Sequence, residues 1–164
     1  MYDDDAILLT PIGHKTLSDE LERLTKSTRS EIATRIEDSM SHGEYSEENS
    51  ELDEIKFEQS MNEDRILELQ EILANSYILT AKDISVKTAS IGTVVSLFNV
   101  KKKSDEFKVN LVSSAEADLN NDNVSDDSPL GRALIGRAKG DQIKVEAPAG
   151  TVIYEIVKIG KLVK

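Results

Sequence analysis

Six carboxylates fall within one short stretch of the sequence, MSHGEYSEENSELDE (40–54): Glu44, Glu47, Glu48, Glu51, Asp53 and Glu54. No basic residue lies among them, so their negative charges repel one another. Mg²⁺ prefers oxygen ligands and is commonly held by one or two carboxylates, water and a substrate phosphate. A carboxylate pair on a projecting turn would bind this ion weakly by itself. Brought against a site that already holds a metal and a phosphodiester, the same pair could complete a two-metal centre.

The negative charge of the chain is concentrated around this stretch. Residues 37–64 hold eleven Asp and Glu against one Lys, which accounts for −10 of the net charge of −11. A charge run is usually only a solvated face, and Ser46 could cap a helix whose first turn favours Glu47 and Glu48. Glu37, by contrast, lies near the C-terminal end of a preceding helix, where a carboxylate is unfavourable. Capping therefore explains only part of the charge run.

The composition excludes several classes of protein. The 164 residues contain no apolar run near the roughly 20 residues of a membrane helix, and the acidic start MYDDDAILL is unlike an export signal. No cysteine is present and only two histidines, so disulfides, thiolate metal sites and histidine-based metal sites are not expected. The net charge of −11 argues against independent nucleic-acid binding. We expect a soluble cytoplasmic protein.

The first half of the sequence predicts two helices joined by a polar turn. Thr10-Pro11 is a helix start signal, and Gly43 interrupts the helical pattern that follows. Apolar residues recur at helical spacing before this break: Leu17, Leu21, Leu24, Ile32 and Ile36. After it the spacing continues through a seam with polar members in its middle: Leu52, Ile55, Gln59, Asn62, Ile66, Leu69, Leu73 and Ser76. The prediction is an antiparallel hairpin roughly 45 Å long, with residues 42–47 at its far end.

The second half predicts a small sheet domain with one short helix. Residues 93–98 and 107–112 are rich in β-branched and aromatic side chains. Alternating segments around 143–145 and 152–156 flank the turn Ala147-Pro148-Ala149-Gly150. A helix is expected to start at Ser128-Pro129 and end at Gly136. We place the domain division between 1–78, the hairpin, and 79–164, the sheet.

These segments resemble the Gre transcription elongation factors of bacteria, GreA type. The N-terminal stretch LTPIGHKTLSDELERL is similar to the family's opening, and SHGEYSEENSEL is similar to its acidic tip. The C-terminal half carries the family's EAD, SPLGRALIG, GD and PAG elements in order. The resemblance implies an α+β fold, in which a long N-terminal antiparallel coiled-coil hairpin is followed by an FKBP-like sheet domain.

The resemblance also implies a function. In that family the hairpin enters the secondary channel of bacterial RNA polymerase, and its tip carboxylates help to hold a second Mg²⁺ there. The polymerase then cleaves a backtracked transcript near its 3′ end. The protein is accordingly expected to activate the polymerase's nuclease activity without being an enzyme. It should hold no tightly bound cofactor, because the Mg²⁺ is shared with the polymerase.

Site residues follow from the same resemblance. Glu44 takes the place of the first tip carboxylate, and either Glu47 or Glu48 that of the second. This sequence carries one extra residue in the turn and glutamate where the family usually has aspartate. The segment Asp127, Ser128 and Pro129 matches the family's contact with the polymerase rim, although Ser-Pro also simply starts a helix. Lys56 falls where the family contacts the transcript, or it merely relieves repulsion between acids.

Three alternatives are open at this point. Some relatives with altered tips occupy the channel and inhibit transcription without stimulating cleavage, which the extra turn residue allows here. An FKBP-like chaperone or prolyl isomerase would need a pocket lined by aromatics, whereas the chain has three Phe and four Tyr. A coiled-coil adaptor would leave the carboxylates near the hairpin tip unexplained.

Overall fold

The computed structural model describes residues 3–42, 50–103 and 106–163, which form four α-helices and seven β-strands. Contacts divide the chain into two compact units. Lys15–Asn75 is a helical unit, and Met1–His14 together with Ser76–Lys164 is a unit built on sheets. The α+β class predicted from the sequence is confirmed. The division at residues 78 and 79 stays a prediction.

The first helical run begins and ends close to where the sequence predicts. Helix α1 (Pro11–Arg23) passes through a π-helical turn (Leu24–Thr28) into α2 (Arg29–His42) without a break. The Thr10 hydroxyl accepts a hydrogen bond from the Gly13 N–H at 3.0 Å, which caps the start of α1.

A β-branched residue, Thr25, lies within the π-helical turn. The Thr25 hydroxyl donates to the Leu21 carbonyl at 2.8 Å and to the Glu22 carbonyl at 3.1 Å. Bonds of this kind compete with the backbone ladder and distort helices. This turn was not predicted from the sequence.

Helix α3 (Ser50–Ala74) forms the second helical run. It packs against the first run through a narrow apolar stripe. The stripe consists of residues buried on both runs: Leu17, Leu24, Ile32, Ile55, Ile66 and Leu69. Ion pairs join residue 29 to 63 and residue 35 to 58, so the two runs are antiparallel, as predicted. Gln59, predicted to lie in the seam, is exposed.

Two very short strands open and close the helical region. Strand β1 (Ile7–Leu9) pairs in parallel with β2 (Ser76–Ile78), with Leu8 in register with Tyr77. Neither strand was predicted from the sequence, because three residues are too few to show an alternating pattern.

The main sheet has five strands, in the spatial order β5-β4-β3-β7-β6. Its strands are β3 (Thr93–Asn99), β4 (Phe107–Val112), β5 (Asn123–Ser125), β6 (Gln142–Ala147) and β7 (Gly150–Lys161). All pairs are antiparallel except β4 with β5. Four of these strands match the prediction, and only the short β5 was missed.

One short helix, α4 (Pro129–Leu134), covers a face of this sheet. Leu134 is fully buried and belongs to the apolar core, which includes Val95, Leu97, Leu111 and Ile156. Gly136 follows the helix with a φ of 79°, the left-handed conformation that glycine adopts most easily. The predicted helix and its end are therefore confirmed.

Candidate functional site

The predicted metal-binding carboxylates Glu44, Glu47 and Glu48 lie outside the residues that the structure describes. The structure shows instead the two helices that carry them. Helix α2 ends at His42 and α3 begins at Ser50, so the acidic segment connects the ends of two packed antiparallel helices.

Arginine–glutamate ion pairs join α2 to α3. Arg29 donates from Nε and Nη2 to the two carboxylate oxygens of Glu63, at 2.8 and 2.7 Å. Arg35 donates from Nη1 to Oε2 of Glu58 at 2.7 Å. These side chains are about half exposed, so each pair adds at most about 1 kcal/mol to stability. Their main effect is geometric, because the two-pronged Arg29–Glu63 contact fixes the register of the helices.

A third network joins α1 to α3. Arg65 donates to both carboxylate oxygens of Glu20 at 2.8 and 3.0 Å, and to Glu68 at 2.8 Å. Arg65 and Glu20 are less exposed than the other two pairs, and the Arg65 guanidinium lowers the pKa of Glu20. Together with the Arg29–Glu63 and Arg35–Glu58 pairs, this network ties the helices together along much of their length.

Asn62 is a buried amide within the apolar stripe of α3. Its side chain is 7% exposed, and its Nδ2 lies 3.5 Å from the Leu24 carbonyl at the π-helical turn. A contact of this length is a weak hydrogen bond, so the amide is poorly compensated for its burial. A polar residue at such a position favours one register over others at a cost in stability.

We expect Asn62→Leu to raise the free energy of unfolding by about 1 kcal/mol, because a poorly satisfied amide is replaced by an apolar group of similar volume. Urea denaturation followed by circular dichroism measures the change. Gln59→Leu, at an exposed position of the same helix, is the control and should change stability by less than about 0.5 kcal/mol. A less stable Asn62→Leu protein would show that the amide's bond to the π-helical turn outweighs apolar burial.

The helix ends nearest the acidic segment carry carboxylates that have no cationic partner among the described residues. Glu37, Glu51, Asp53 and Glu54 are exposed and form no ion pair with any residue in the described ranges. Lys56 is exposed and likewise forms none within those ranges. Its contact with the transcript, or its relief of repulsion between acids, stays a prediction.

The predicted rim-contact segment starts α4. The Ser128 hydroxyl accepts from the Gly131 N–H at 3.0 Å, and Pro129 takes the first helical position. Capping therefore accounts for the residue types at both positions. Asp127 is exposed, and its carboxylate lies 3.6 Å from Nη2 of the equally exposed Arg132. The polymerase contact of this segment stays a prediction.

An open cleft of about 490 Å³ lies beside this segment. Its walls combine apolar and charged side chains: Leu8, Leu79, Asp83, Ser90, Ile91, Asp126, Arg132 and Ile135. Apolar groups bordered by charges are typical of surfaces that bind other proteins.

Glu116 is a buried carboxylate that was not among the site residues predicted from the sequence. It is 9% exposed, and its oxygens accept hydrogen bonds from the Thr10 N–H at 2.7 Å and the Thr10 hydroxyl at 2.6 Å. Its negative charge lies at the N-terminus of α1, the favourable end of a helix for an anion. Gly13 packs directly against it, since a Cβ there would come within 1.6 Å of Oε1. The only signal in the sequence was the place of Glu116 in the EAD element.

Burial raises the pKa of Glu116, although the hydrogen bonds from Thr10 oppose the rise. The folded state therefore holds this proton more tightly than the unfolded state. The stability that Glu116 contributes is greatest below its unfolded pKa and is lost as pH rises through the raised value. As pH falls from about 7 to about 5, we expect the unmodified chain to gain stability relative to Glu116→Gln. Urea titrations of both proteins at matched pH measure this difference.

Glu71→Gln, at an exposed position of α3, is the matched control and should show no such trend. A difference between the unmodified chain and Glu116→Gln that stays flat across this range would contradict the assignment.

Within residues 3–42, 50–103 and 106–163, no three His, Asp or Glu side chains come together as a metal site. None of the helices there is long and apolar enough to cross a membrane.

Two family models match nearly the whole chain. Residues 7–78 match the model described as "Transcription elongation factor, N-terminal". Residues 84–161 match the model described as "Transcription elongation factor, GreA/GreB, C-term".

Proteins named Transcription elongation factor GreA are similar over almost their full length. The chain is 40% identical to that of Thermoanaerobacter pseudethanolicus over 155 residues, covering 94% of this chain and 98% of the relative. It is 42% identical to that of Alkaliphilus oremlandii over 159 residues, covering 97% and 99%. Among solved structures, the GreA factor homolog 1 (Gfh1) of Thermus thermophilus is 29% identical, with a TM-score of 0.44 and coverage of 94% and 99%.

Proposed function

Because the chain belongs to the GreA/GreB family of transcription elongation factors, we propose that it binds the secondary channel of bacterial RNA polymerase and stimulates cleavage of backtracked transcripts. The polymerase is the enzyme, and the nascent RNA 3′ end in the complex is its substrate. The factor works in the cytoplasm, holds no tightly bound cofactor, and binds no nucleic-acid sequence independently.

The observation that carries this proposal is a braced helical pair whose far end keeps its negative charge. The Arg29–Glu63 and Arg35–Glu58 pairs fix the register of α2 and α3. Beyond them, exposed carboxylates including Glu51 and Asp53 have no cationic partner in the described ranges. A pair of helices held in this way could carry anionic oxygens into a cavity that is too narrow for a globular domain.

Glu44, with Glu47 or Glu48, would supply oxygen ligands to a Mg²⁺ shared with the polymerase. A set of carboxylate oxygens fits this ion, which disfavours nitrogen and sulfur ligands. When bound, Mg²⁺ would activate a water molecule for attack on the phosphodiester. The chain's own part is to place the carboxylates, and Lys56 would meet the transcript nearby.

Asp127, Ser128 and Pro129 would contact the polymerase at the channel rim. Ser128 and Pro129 hold the start of α4 in place, and the exposed Asp127 stands beside the mixed apolar and charged cleft. Rim contact would provide affinity, whereas the tip would provide chemistry.

The test uses purified bacterial RNA polymerase in backtracked complexes with 5′-labelled RNA. Added protein should shorten the RNA and allow the polymerase to resume synthesis. If the protein neither binds the polymerase nor alters the RNA, the proposal is wrong.

A second candidate function keeps the docking and loses the chemistry. The extra residue in the turn and the glutamates in place of aspartates change where the tip oxygens point. In that event, the protein would slow elongation by occupying the channel and would leave backtracked RNA at its original length. The same assay separates the two functions.

A further inference from the structure

Two large apolar side chains stand exposed on the outer face of α3. Phe57 is 69% exposed and Met61 is 54% exposed. They are four residues apart, so they lie one above the other on the helix, about 130° around it from the buried stripe. Packing within the hairpin therefore does not explain them.

Acidic residues border this pair, whereas Arg65, four residues after Met61 on the same face, is already paired with Glu20 and Glu68. Asp53 and Glu54 lie one turn before Phe57 on the same face, and Asp64 lies one turn after Met61. All three are exposed, and none forms an ion pair with a residue in the described ranges.

Two other carboxylates of this helix are neutralised by arginines of the facing run. Glu58 and Glu63 pair with Arg35 and Arg29. Asp53, Glu54 and Asp64 thus form no ion pair within the described ranges, although the same unit supplies arginines to Glu58, Glu63 and Glu20.

We infer that Phe57 and Met61, bordered by Asp53, Glu54 and Asp64, form a docking surface for an apolar recess ringed by Lys or Arg on the polymerase. Charge complementarity selects this occupant, since the acidic border would repel nucleic-acid phosphates and attract a basic protein surface. The inference rests on the proposed function. It assigns to α3 a polymerase contact that is separate from the tip carboxylates and from the rim segment.

The test compares the affinity of a fluorescently labelled factor for RNA polymerase core enzyme. Because glutamine is polar and favours helix, Phe57→Gln/Met61→Gln should leave the melting temperature unchanged and weaken binding by about tenfold or more. Leu67→Gln is the matched control. Leu67 is 63% exposed on the same helix but lies about 100° around it from the pair, so its replacement should leave affinity unchanged.

The acidic border provides a second measurement. Asp64→Lys should weaken binding and reduce its sensitivity to salt, because one attractive charge becomes repulsive.

Equal affinity of the unmodified and doubly substituted factors would overturn this inference while leaving the proposed function intact. Failure of the unmodified factor to bind polymerase would overturn the proposed function and this inference with it. Self-association of the free protein that disappears in the double variant would assign the surface to a second copy of the chain, and would also overturn it.

Discussion

Glu44→Ala is expected to lose cleavage stimulation by on the order of 100-fold while keeping polymerase affinity within about twofold of the unmodified chain. Under the proposed function, a shared metal would lose one of the few ligands that the factor supplies, whereas docking would depend on other surfaces. Cleavage rates at saturating factor, with affinity measured separately, give the two quantities. The rate should recover in part at high Mg²⁺ concentration, because excess ion offsets weakened binding.

The same measurement decides which residue, Glu47 or Glu48, is the second tip carboxylate. One of Glu47→Ala and Glu48→Ala should match the loss seen for Glu44→Ala, and the other should cleave nearly normally. Glu71→Ala removes an exposed carboxylate of α3 far along the chain from these residues, and it should have no effect. Undiminished cleavage by all three tip variants would refute the metal-ligand assignment.

Gly13→Ala is expected to lower the free energy of unfolding by about 2 to 4 kcal/mol. A Cβ at Gly13 would lie 1.6 Å from Oε1 and 2.0 Å from Cδ of Glu116. The carboxylate could escape only by giving up its hydrogen bonds to Thr10, which would leave a buried acid unsatisfied. Urea denaturation measures the loss, and Gly160→Ala is the control because its Cβ meets nothing closer than 4.0 Å.

A double-mutant cycle tests the cause of this loss. In a Glu116→Ala background the overlap is gone, so Gly13→Ala should cost nothing or even stabilise the protein, since alanine favours helix by about 1 kcal/mol over glycine. An equal loss in both backgrounds would mean that Gly13 is required for a reason other than its contact with Glu116.

Local patterns predicted most of the secondary structure. Spacing of three and four residues placed the two helical runs, and β-branched segments placed β3, β4, β6 and β7. Ser128-Pro129 and Gly136 bounded α4. Such features depend on neighbours along the chain, so they are visible without coordinates. The π-helical turn and the strands β1, β2 and β5 were missed, because they are too short to show a period or depend on distant pairing.

The amino-acid sequence by itself determined the net charge of this protein and the segment that carries most of that charge. Its motifs also indicated the family and the candidate ligands Glu44, Glu47 and Glu48. Tertiary structure alone decided which carboxylates are neutralised and which are left free. Glu63 and Glu54 look alike along the chain, yet Glu63 meets Arg29 across the hairpin whereas Glu54 meets no cation in the described ranges. The tertiary structure also decided that Glu116 is buried at the start of α1. Ion pairing and desolvation depend on distances between residues far apart in sequence, which no local pattern encodes.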